Sequence, residues 1–318
     1  MKPLQKVAIS IGDLNGIGIQ LALENHLSVM QIVDPLYCID STMLTQASEK
    51  LQLSIPDNFQ TIEKIAHSFE IVPGSISKAS GHYAYASFYK AVELAKKKKV
   101  DAICTLPIHK KAWEKAGVSY KGHTDALRDF FDAEAIMMLG CSEMYVALFT
   151  EHIPLKEVAG NISEKKLIQF LLDFYRTAKP KSTVAVLGLN PHAGDNGVLG
   201  DEEIIIQKAI THVNTTLQQA QETSLTEPVE IYSKPLVPDV AFTPNVRKRY
   251  THYIAMYHDQ GLAPLKALYF DEGINISLNL PILRTSVDHG TAFDVAYRGA
   301  SISNLSYLNA IRYIAANG

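Results

Sequence analysis

Short apolar runs that end in polar or glycine-rich residues constrain the fold of this chain most. The runs occupy residues 7–11, 101–106, 136–139, 145–149 and 184–189. Runs of this length between longer amphipathic stretches are typical of strands buried on both faces. The amphipathic stretches predict helices at residues 83–99, 164–178, 201–222 and 303–316. Alternating strands and helices predict an α/β protein whose parallel strands are covered by helices on both faces.

Length and composition narrow the class of protein. A chain of 318 residues can form two lobes, and the polar stretch 221–230 is expected to be a loop. The net charge of −3 makes nucleic acid a poor partner. Three widely separated cysteines favour reduced, buried thiols in the cytoplasm over a disulfide framework. No apolar run approaches the length of a signal peptide core or a membrane span.

Histidines follow three of the apolar runs or similar segments further along the chain: His152, His192 and His258. A single histidine in such a place is more often structural than a ligand. Parallel strands, however, would bring all three to one edge of a sheet, where ligands bind in open α/β folds. Three histidines with an open fourth position form a catalytic metal site. Neutral imidazoles favour Zn, Co, Ni or Fe over Mg, although Asp195 and Asp259 lie close by in the sequence.

A second group of polar residues indicates an anionic ligand. Two of its members, His123 and Thr124, stand at a predicted helix start, where backbone N–H groups attract anions. Cations and an amide further along the chain suit a phosphate: Lys266, Asn275 and Arg284. Scattered surface charge is the simpler alternative for Lys266 or Arg284 taken singly.

The stretch "GDLNGIG" after the first predicted strand carries Gly12, Asp13, Asn15, Gly16 and Gly18. It matches neither the dinucleotide-binding fingerprint nor a phosphate-binding P-loop. Glycines here allow either a tight strand-to-helix turn or close approach of a ligand to the backbone. Both interpretations stay open.

Several longer strings resemble the motifs of a known family: "GHTD", "GLNPHAGDNG", "MYHDQGLAPLK" and "NLPILRTSVDHGTAFDVA". Together with "GDLNGIGIQ", they closely resemble the 4-hydroxythreonine-4-phosphate dehydrogenase family of pyridoxal phosphate biosynthesis, from about residue 9 to 298. The resemblance implies oxidation of 4-phosphohydroxy-L-threonine by NAD or NADP to 2-amino-3-oxo-4-phosphooxybutanoate, which decarboxylates to 3-amino-2-oxopropyl phosphate. It also implies one divalent metal (Zn, Co or Mg) per site and a homodimer with a shared active site.

The resemblance further implies an isopropylmalate-dehydrogenase-like fold of two α/β/α lobes with the active-site cleft between them. The cofactor-side lobe is expected to comprise residues 1–125 and 285–318. The metal, substrate and dimerisation lobe is expected to comprise residues 126–284.

Site residues carry over by position. His152, His192 and His258 resemble the family's metal ligands, of which the third, His258, comes from the other chain. The implied substrate contacts are His123, Thr124, Lys266, Asn275 and Arg284, and the implied cofactor contacts are His289, Gly290, Thr291 and Asp294. The catalytic base is either Lys266 or Asp239. Lys266 is otherwise a phosphate clamp and Asp239 a helix cap, and Gly261 is expected to be a flexible point between His258 and Lys266.

Some residues depart from the family pattern. Leu14, Ile19 and Gln20 replace two prolines and a glutamate, Asp125 replaces a glutamate, and Tyr297 replaces a glycine near the cofactor loop. These changes leave open a related substrate such as threonate 4-phosphate or erythronate 4-phosphate. A metal-dependent hydrolase and a non-catalytic metabolite-binding protein are the alternatives from other classes.

Overall fold

A computed structural model describes residues 3–220 and 230–318, so the predicted loop at 221–230 lies outside the described residues except for Glu230. The ten strands of this part are β1 Lys6–Ser10, β2 Asp34–Cys38, β3 Ala102–Thr105, β4 Ile136–Cys141, β5 Met144–Leu148, β6 Val184–Leu187, β7 Tyr232–Leu236, β8 His252–Ala255, β9 Ile274–Leu278 and β10 Leu283–Val287.

The α-helices of the described residues are α1 Gly18–Met30, α2 Ser41–Leu51, α3 Lys78–Lys96, α4 Lys110–Lys115, α5 His123–Phe131, α6 Val158–Asn161, α7 Glu164–Ala178, α8 Glu202–Ala220, α9 Pro238–Ala241, α10 Pro244–Arg247, α11 His258–Tyr269 and α12 Leu305–Asn317. None of them is long and apolar enough to cross a membrane. The three cysteines are free and buried, as predicted.

The chain divides into two compact units. Unit 1 comprises Met1–Ala135 with Asp271–Gly318, and unit 2 comprises Ile136–Phe270. The predicted lobe boundary at 284/285 placed Asn275 and Arg284 in the second lobe, whereas the structure places both in unit 1. The physical reason is strand pairing, because β10 is hydrogen-bonded along β3 and β9 along β10.

Unit 1 contains five strands in the order β2-β1-β3-β10-β9. The first four run parallel, and β9 is antiparallel to β10. Helix α3 packs on β1, β2 and β3, and Phe88, Trp113 and Leu127 fill the core on that face. Helix α12 packs on β9, β10 and β3. It lies on the opposite face of the sheet, as shown by the hydrogen bond that Thr285 Oγ1 donates to its Ala310 carbonyl at 3.1 Å.

Unit 2 contains five strands in the order β4-β5-β8-β6-β7. Strands β5, β8, β6 and β7 run parallel, and β4 is antiparallel to β5. Helix α11 packs on β4, β5 and β8. Its Leu262 and Leu265 join Val146, Leu187 and Tyr253 in the core.

The prediction of an α/β fold is confirmed, but the prediction of an all-parallel arrangement is wrong at β4 and β9. Only Ser142 and Glu143 separate β4 from β5. A connection that short can only join antiparallel strands, whereas a parallel crossover needs a dozen residues or more. Hydrophobic periodicity carries no signal for strand direction.

The predicted helices are present. Helix α7 has the predicted bounds, and the other predicted helices have shifted ends. Helix α3 begins earlier than predicted because the Ser77 side chain accepts a hydrogen bond from the Ser80 N–H and caps it. The predicted end of α8 at residue 222 lies outside the described residues. Among the longer helices, α1, α2 and α11 were not predicted. Helix α1 is buried on most of its surface, and α11 contains Gly261 and Pro264, both unfavourable inside helices.

Gly12 gives a test of the turn after β1. Its φ is +72°, and an added Cβ would lie 2.2 Å from the Pro107 carbonyl oxygen, which accepts the Asp13 N–H. Gly117 has φ +84° with no heavy atom near an added Cβ. Gly117→Ala should therefore lose only the backbone cost of about 1–2 kcal/mol. The free energy of unfolding, measured with urea, should fall by at least about 1 kcal/mol more in Gly12→Ala than in Gly117→Ala. Equal losses would show that the turn relaxes around the added methyl group without cost.

Candidate functional site

His152 and His258 leave unit 2's sheet together because β5 and β8 stay paired beyond their last strand residues. The Phe149 N–H donates to the Ala255 carbonyl at 2.9 Å. The Thr150 side chain then donates to the Met256 carbonyl at 2.6 Å. Each histidine follows two residues after this last link, so their ring centroids lie 5.5 Å apart within one chain.

The ring of His258 presents one free nitrogen. Its Nδ1 lies 2.6 Å from Asp259 Oδ1, which leaves Nε2 as the atom available to a ligand. A carboxylate on one ring nitrogen and a metal on the other is a recurrent arrangement that orients metal-binding histidines. His152 Nδ1 lies 4.0 Å from Glu151 Oε2, which is too long for the hydrogen bond that orients His258.

His192 lies in a strained turn, Pro191–Gly197. His192, Ala193, Asp195 and Asn196 all have left-handed φ values, between 42° and 57°. Each such residue other than glycine costs about 1–2 kcal/mol. The turn is held at its start by the Glu203 carboxylate, whose Oε1 accepts the N–H groups of Leu189 at 2.8 Å and Asn190 at 2.7 Å.

The donor set fits a divalent metal in part. His152 and His258 supply two neighbouring imidazoles, the ligand type that zinc and cobalt accept. In residues 3–220 and 230–318, no group of three histidine, cysteine or carboxylate side chains is placed to hold one ion. The structure therefore brings two of the three predicted ligands together, and it does not bring His192 to them.

Two other residues of "YHDQG" have structural roles. Gln260 Nε2 donates to the Gly188 carbonyl and its Oε1 accepts the Met256 N–H, both at 2.7 Å. It therefore ties the end of β8 to the end of β6. An added Cβ on Gly261 would lie 2.4 Å from the Val146 side chain. The prediction of a flexible point is wrong, because Gly261 lies inside α11 and lets that helix approach β5 closely.

Unit 1 presents a row of polar side chains across four strands. In register, Ser10 on β1 is opposite Thr105 on β3, Thr105 is opposite Ser286 on β10, and Ser286 is opposite Asn275 on β9. Residues in register point to the same face of a sheet. Ser10 Oγ and Asn275 Oδ1 are buried and have no hydrogen-bond partner among the described residues. Unpaired buried polar atoms are costly, and a ligand bound at this row would satisfy them.

Arg284 lies on the same face as this row, two residues before Ser286. It is 2% exposed. Nε and Nη2 donate to Thr105 Oγ1 at 3.2 and 2.6 Å, and Nη1 donates to Ser277 Oγ at 3.2 Å. No carboxylate neutralises the guanidinium in the part of the chain that the structure describes, and burial lowers its pKa to about 10. A buried cation with neutral partners attracts an anion.

His123 begins α5 and packs edge-on against Phe88 and Trp113, at centroid distances of 4.7 and 5.4 Å. Burial lowers its pKa well below the usual 6.5, and the nearby cations Arg284 and Lys110 lower it further. The ring is therefore neutral at pH 7, and its Nε2 has no hydrogen-bond partner in the part of the chain that the structure describes.

The remaining predicted contacts divide between the units. Thr124 is buried in the first turn of α5, in unit 1 with His123, Asn275 and Arg284. Lys266 and Asp239 belong to unit 2. Lys266 Nζ lies 5.8 Å from the ring centroid of Phe270. Asp239 is exposed inside the first turn of α9, whose N-cap is Val237, so the helix-cap interpretation of Asp239 is wrong.

The "GDLNGIG" stretch forms a tight turn held by Asp13. Asp13 is fully buried; its Oδ1 accepts the Asn15 N–H at 3.0 Å and its Oδ2 accepts the Ser80 hydroxyl at 3.3 Å. Burial raises the pKa of this carboxyl from 3.8 to about 6, against the opposing effect of both hydrogen bonds. The structure supports the turn interpretation, and sequence reasoning gave no signal for the raised pKa.

The same turn supports the candidate cofactor loop. The Ile17 N–H donates to the Thr291 carbonyl at 3.1 Å, and the Tyr297 hydroxyl donates to the Leu14 carbonyl at 2.7 Å. Tyr297 has φ +61°, where glycine would be unstrained. Two departures from the family pattern, Leu14 and Tyr297, therefore contact each other.

The other candidate cofactor contacts differ in exposure. Gly290 and Asp294 are exposed and Thr291 is buried. His289 is half-buried, and its Nε2 has no hydrogen-bond partner within residues 3–220 and 230–318. The exposed carboxylate of Asp294 can accept hydrogen bonds from ribose hydroxyls, as acidic residues do in dinucleotide sites.

Comparison with known proteins identifies the family. The family described as "Pyridoxal phosphate biosynthetic protein PdxA" matches residues 31–314. The chain belongs to the PdxA family. A 4-hydroxythreonine-4-phosphate dehydrogenase of Sulfurimonas denitrificans is 56% identical over 313 residues, which cover 98% of both chains. The predicted family is thereby confirmed.

Solved structures agree on the fold. The 4-hydroxythreonine-4-phosphate dehydrogenase of Klebsiella pneumoniae matches with a TM-score of 0.79 and 28% identity, over 98% of this chain and 99% of that chain. A β-decarboxylating dehydrogenase of Thermococcus kodakarensis matches with a TM-score of 0.50 and 12% identity, over 98% of this chain and 82% of that chain. The second likeness concerns the fold alone and agrees with the predicted dehydrogenase-type α/β architecture.

The raised pKa of Asp13 predicts a pH-dependent stability difference. A folded-state pKa of about 6 against 3.8 means that the folded chain binds the proton more tightly than the unfolded chain. Stability is therefore lost as the pH rises from about 4 to 6, with no further loss above that. Asp13→Asn removes this cost and should be more stable than wild type at pH 8 by up to roughly 3 kcal/mol, with the gain vanishing below pH 4.

Urea unfolding of both proteins between pH 3 and 8 measures the difference. Asp57→Asn, which removes an exposed carboxylate from a turn, is the control for the change in net charge. A constant offset between Asp13→Asn and wild type over the whole range would contradict the burial argument.

Proposed function

We propose that this PdxA-family chain is a metal-dependent 4-hydroxythreonine-4-phosphate dehydrogenase that uses NAD or NADP. It oxidises 4-phosphohydroxy-L-threonine to 2-amino-3-oxo-4-phosphooxybutanoate, which loses carbon dioxide to give 3-amino-2-oxopropyl phosphate. Family membership and the relatives' printed names support the reaction. The observation in the structure that carries the proposal is the buried Arg284, whose charge has only hydroxyl partners among the described residues.

The substrate's phosphate binds through unit 1. Arg284 supplies the charge, the neutral His123 and the first-turn N–H groups of α5 supply donors, and the Asn275 amide completes the set. Lys266 is a further candidate cation that the family resemblance implies. A dianion at Arg284 would also raise the pKa of His123, because it reverses the sign of the nearest charge.

A divalent metal would be held by His152 and His258 with His192 as the third ligand, and zinc or cobalt would be preferred over magnesium because the donors are imidazoles. When bound, it supplies a Lewis acid that lowers the pKa of the substrate's secondary hydroxyl. Asp259 orients His258 for this role through the 2.6 Å contact at Nδ1. The strained backbone of the His192 turn is maintained by the surrounding contacts, among them the hydrogen bonds that Glu203 accepts from Leu189 and Asn190.

Lys266 and Asp239 are the two candidate bases for the hydroxyl proton. Both belong to unit 2 with the three histidines. Asp239 is the stronger candidate, because α9 packs against the His192 turn and its carboxylate is exposed. Lys266 acts as a base only if its pKa is depressed, and otherwise acts as a phosphate clamp.

The cofactor binds at His289, Gly290, Thr291 and Asp294. NAD is the preferred form, because an exposed Asp294 carboxylate accepts ribose hydroxyls but repels the extra phosphate of NADP. The bracing of Thr291 by Ile17 gives this loop a fixed backbone. When bound, the cofactor accepts the hydride.

A homodimer is the proposed assembly. Exposed apolar side chains lie in the His192 turn region and on the helices that pack against it: Val198, Leu199, Ile204 and Val240. Burying such side chains against a second chain is favourable. The proposed compartment is the cytoplasm, in keeping with three buried free thiols.

Oxidation of threonate 4-phosphate or erythronate 4-phosphate is the second candidate, because Leu14, Ile19, Gln20, Asp125 and Tyr297 depart from the family pattern. NAD reduction should be strongest with 4-phosphohydroxy-threonine, and it should be lost after chelation and restored by zinc or cobalt. The assay compares the three phosphorylated substrates with and without each metal, including magnesium. Faster turnover of threonate 4-phosphate or erythronate 4-phosphate would reassign the substrate within the same reaction class. Absence of NAD reduction with all three would refute the dehydrogenase.

Mixing variants that each lack one of the three histidines tests whether the metal site is shared between two chains. If one ligand comes from the partner, a variant lacking that ligand forms one intact site with a variant lacking either of the others. Two variants that lack ligands from the same chain form none. The resemblance assigns the crossing ligand to His258, whereas the 5.5 Å approach of His152 and His258 in one chain favours His192.

The three variants His152→Ala, His192→Ala and His258→Ala are therefore mixed pairwise, with heterodimers verified by differential tags. Activity and metal content per heterodimer are measured. One variant should recover roughly half of wild-type metal content with both others, and the remaining pair should recover none. No recovery in any verified heterodimer would show that each chain builds its own site.

A further inference from the structure

We infer that Thr105 is a positioning residue for the anion site, holding Arg284 so that one N–H on each terminal nitrogen faces the substrate's phosphate. The inference deepens the proposed function and rests on it for the identity of the anion. Thr105 is not among the site residues predicted from the sequence. It lies at the end of β3, in an apolar sequence context.

Sheet register explains why Thr105 meets Arg284. Thr105 is opposite Ser286 on β10, and Arg284 precedes Ser286 by two residues, so both side chains are on one face. Ser277 on β9 is directly opposite Arg284. The guanidinium therefore lies between a hydroxyl from each neighbouring strand, and Thr105 and Ser277 are both fully buried.

The number of N–H donors on the guanidinium shows how many remain for an anion. Arginine has five N–H donors, one on Nε and two on each terminal nitrogen. Thr105 Oγ1 accepts one from Nε and one from Nη2, and Ser277 Oγ accepts one from Nη1. One donor on Nη1 and one on Nη2 remain, and such a pair can bind two oxygens of one phosphate.

A hydroxyl suits this task better than a carboxylate. A carboxylate at position 105 would also hold the guanidinium, but it would neutralise the charge that the phosphate must meet. Thr105 accepts two N–H groups without adding charge. Arg284 stays buried with its charge uncompensated by the described residues, and the bound anion is the group that compensates it.

Thr105→Val tests this role because it keeps the side-chain shape and removes the acceptor. The holoenzyme should show about a tenfold rise in the Kd for inorganic phosphate and in the KM for 4-phosphohydroxy-threonine, since hydrogen bonds to charged groups are the strong ones. The kcat and the KM for NAD should stay within about twofold, because a positioning residue for the phosphate touches neither the reacting atoms nor the cofactor. Thr105→Ser restores the hydroxyl and should restore both constants.

Thr285→Val is the matched control. Thr285 is an equally buried threonine one residue from Arg284, but its hydroxyl donates to Ala310 on the opposite face. It should lose stability without a change in phosphate affinity. Thr105→Val with wild-type phosphate affinity, or Thr105→Ser as weak as Thr105→Val, would overturn the inference. An equal rise in the KM for NAD would also overturn it.

Ser277→Ala carries the test if Thr105→Val does not fold. It removes the single bond at Nη1, and a severalfold weaker phosphate affinity is expected; wild-type affinity would count against the inference. Inorganic phosphate binding, measured by titration calorimetry, does not depend on turnover. A wild type that binds phosphate but reduces no NAD therefore refutes the proposed function while the role of Thr105 is still decided.

Discussion

Parallel strand pairing is the constraint on which both candidate sites depend. In unit 2, the pairing of β5 with β8 continues to Thr150 and Met256, and His152 and His258 emerge side by side as a consequence. In unit 1, the register between β1, β3 and β10 brings polar residues from distant parts of the sequence into one row. A register shift of one residue would turn these side chains to the opposite face.

Both sites hold groups that weaken the folded state. Arg284 is buried and has no carboxylate partner among the described residues. Asp13 is buried, and its pKa is raised to about 6. In the His192 turn, four residues other than glycine adopt the left-handed backbone conformation. Each is unfavourable for stability alone. They lie in or beside the segments that carry the candidate anion, cofactor and metal contacts. This is the distribution expected when ligand binding compensates part of the cost.

The sequence predicted the α/β class, five of the strands and the main helices, because apolar runs and amphipathic periodicity are local signals. It also indicated the polar residues at strand ends, and the strings around His192 and His258 were specific enough to indicate the family. It did not predict α11, because Gly261 and Pro264 oppose a helix locally while packing against β5 and β8 favours one. It also placed Asn275 and Arg284 in the wrong lobe, because chain order carries no information about which strands pair.

What the sequence by itself determined is the α/β class, many of the elements and the chemistry available: imidazoles, two cations and an anion-attracting helix start. The tertiary structure alone decided which of these groups meet. Pairing of β10 between β3 and β9 gave Arg284 hydroxyl partners instead of a carboxylate, and pairing of β5 with β8 joined two histidines but not the third. The physical reason is that strand register couples residues far apart in the chain, such as Thr105 and Arg284, through hydrogen bonds that no local pattern encodes.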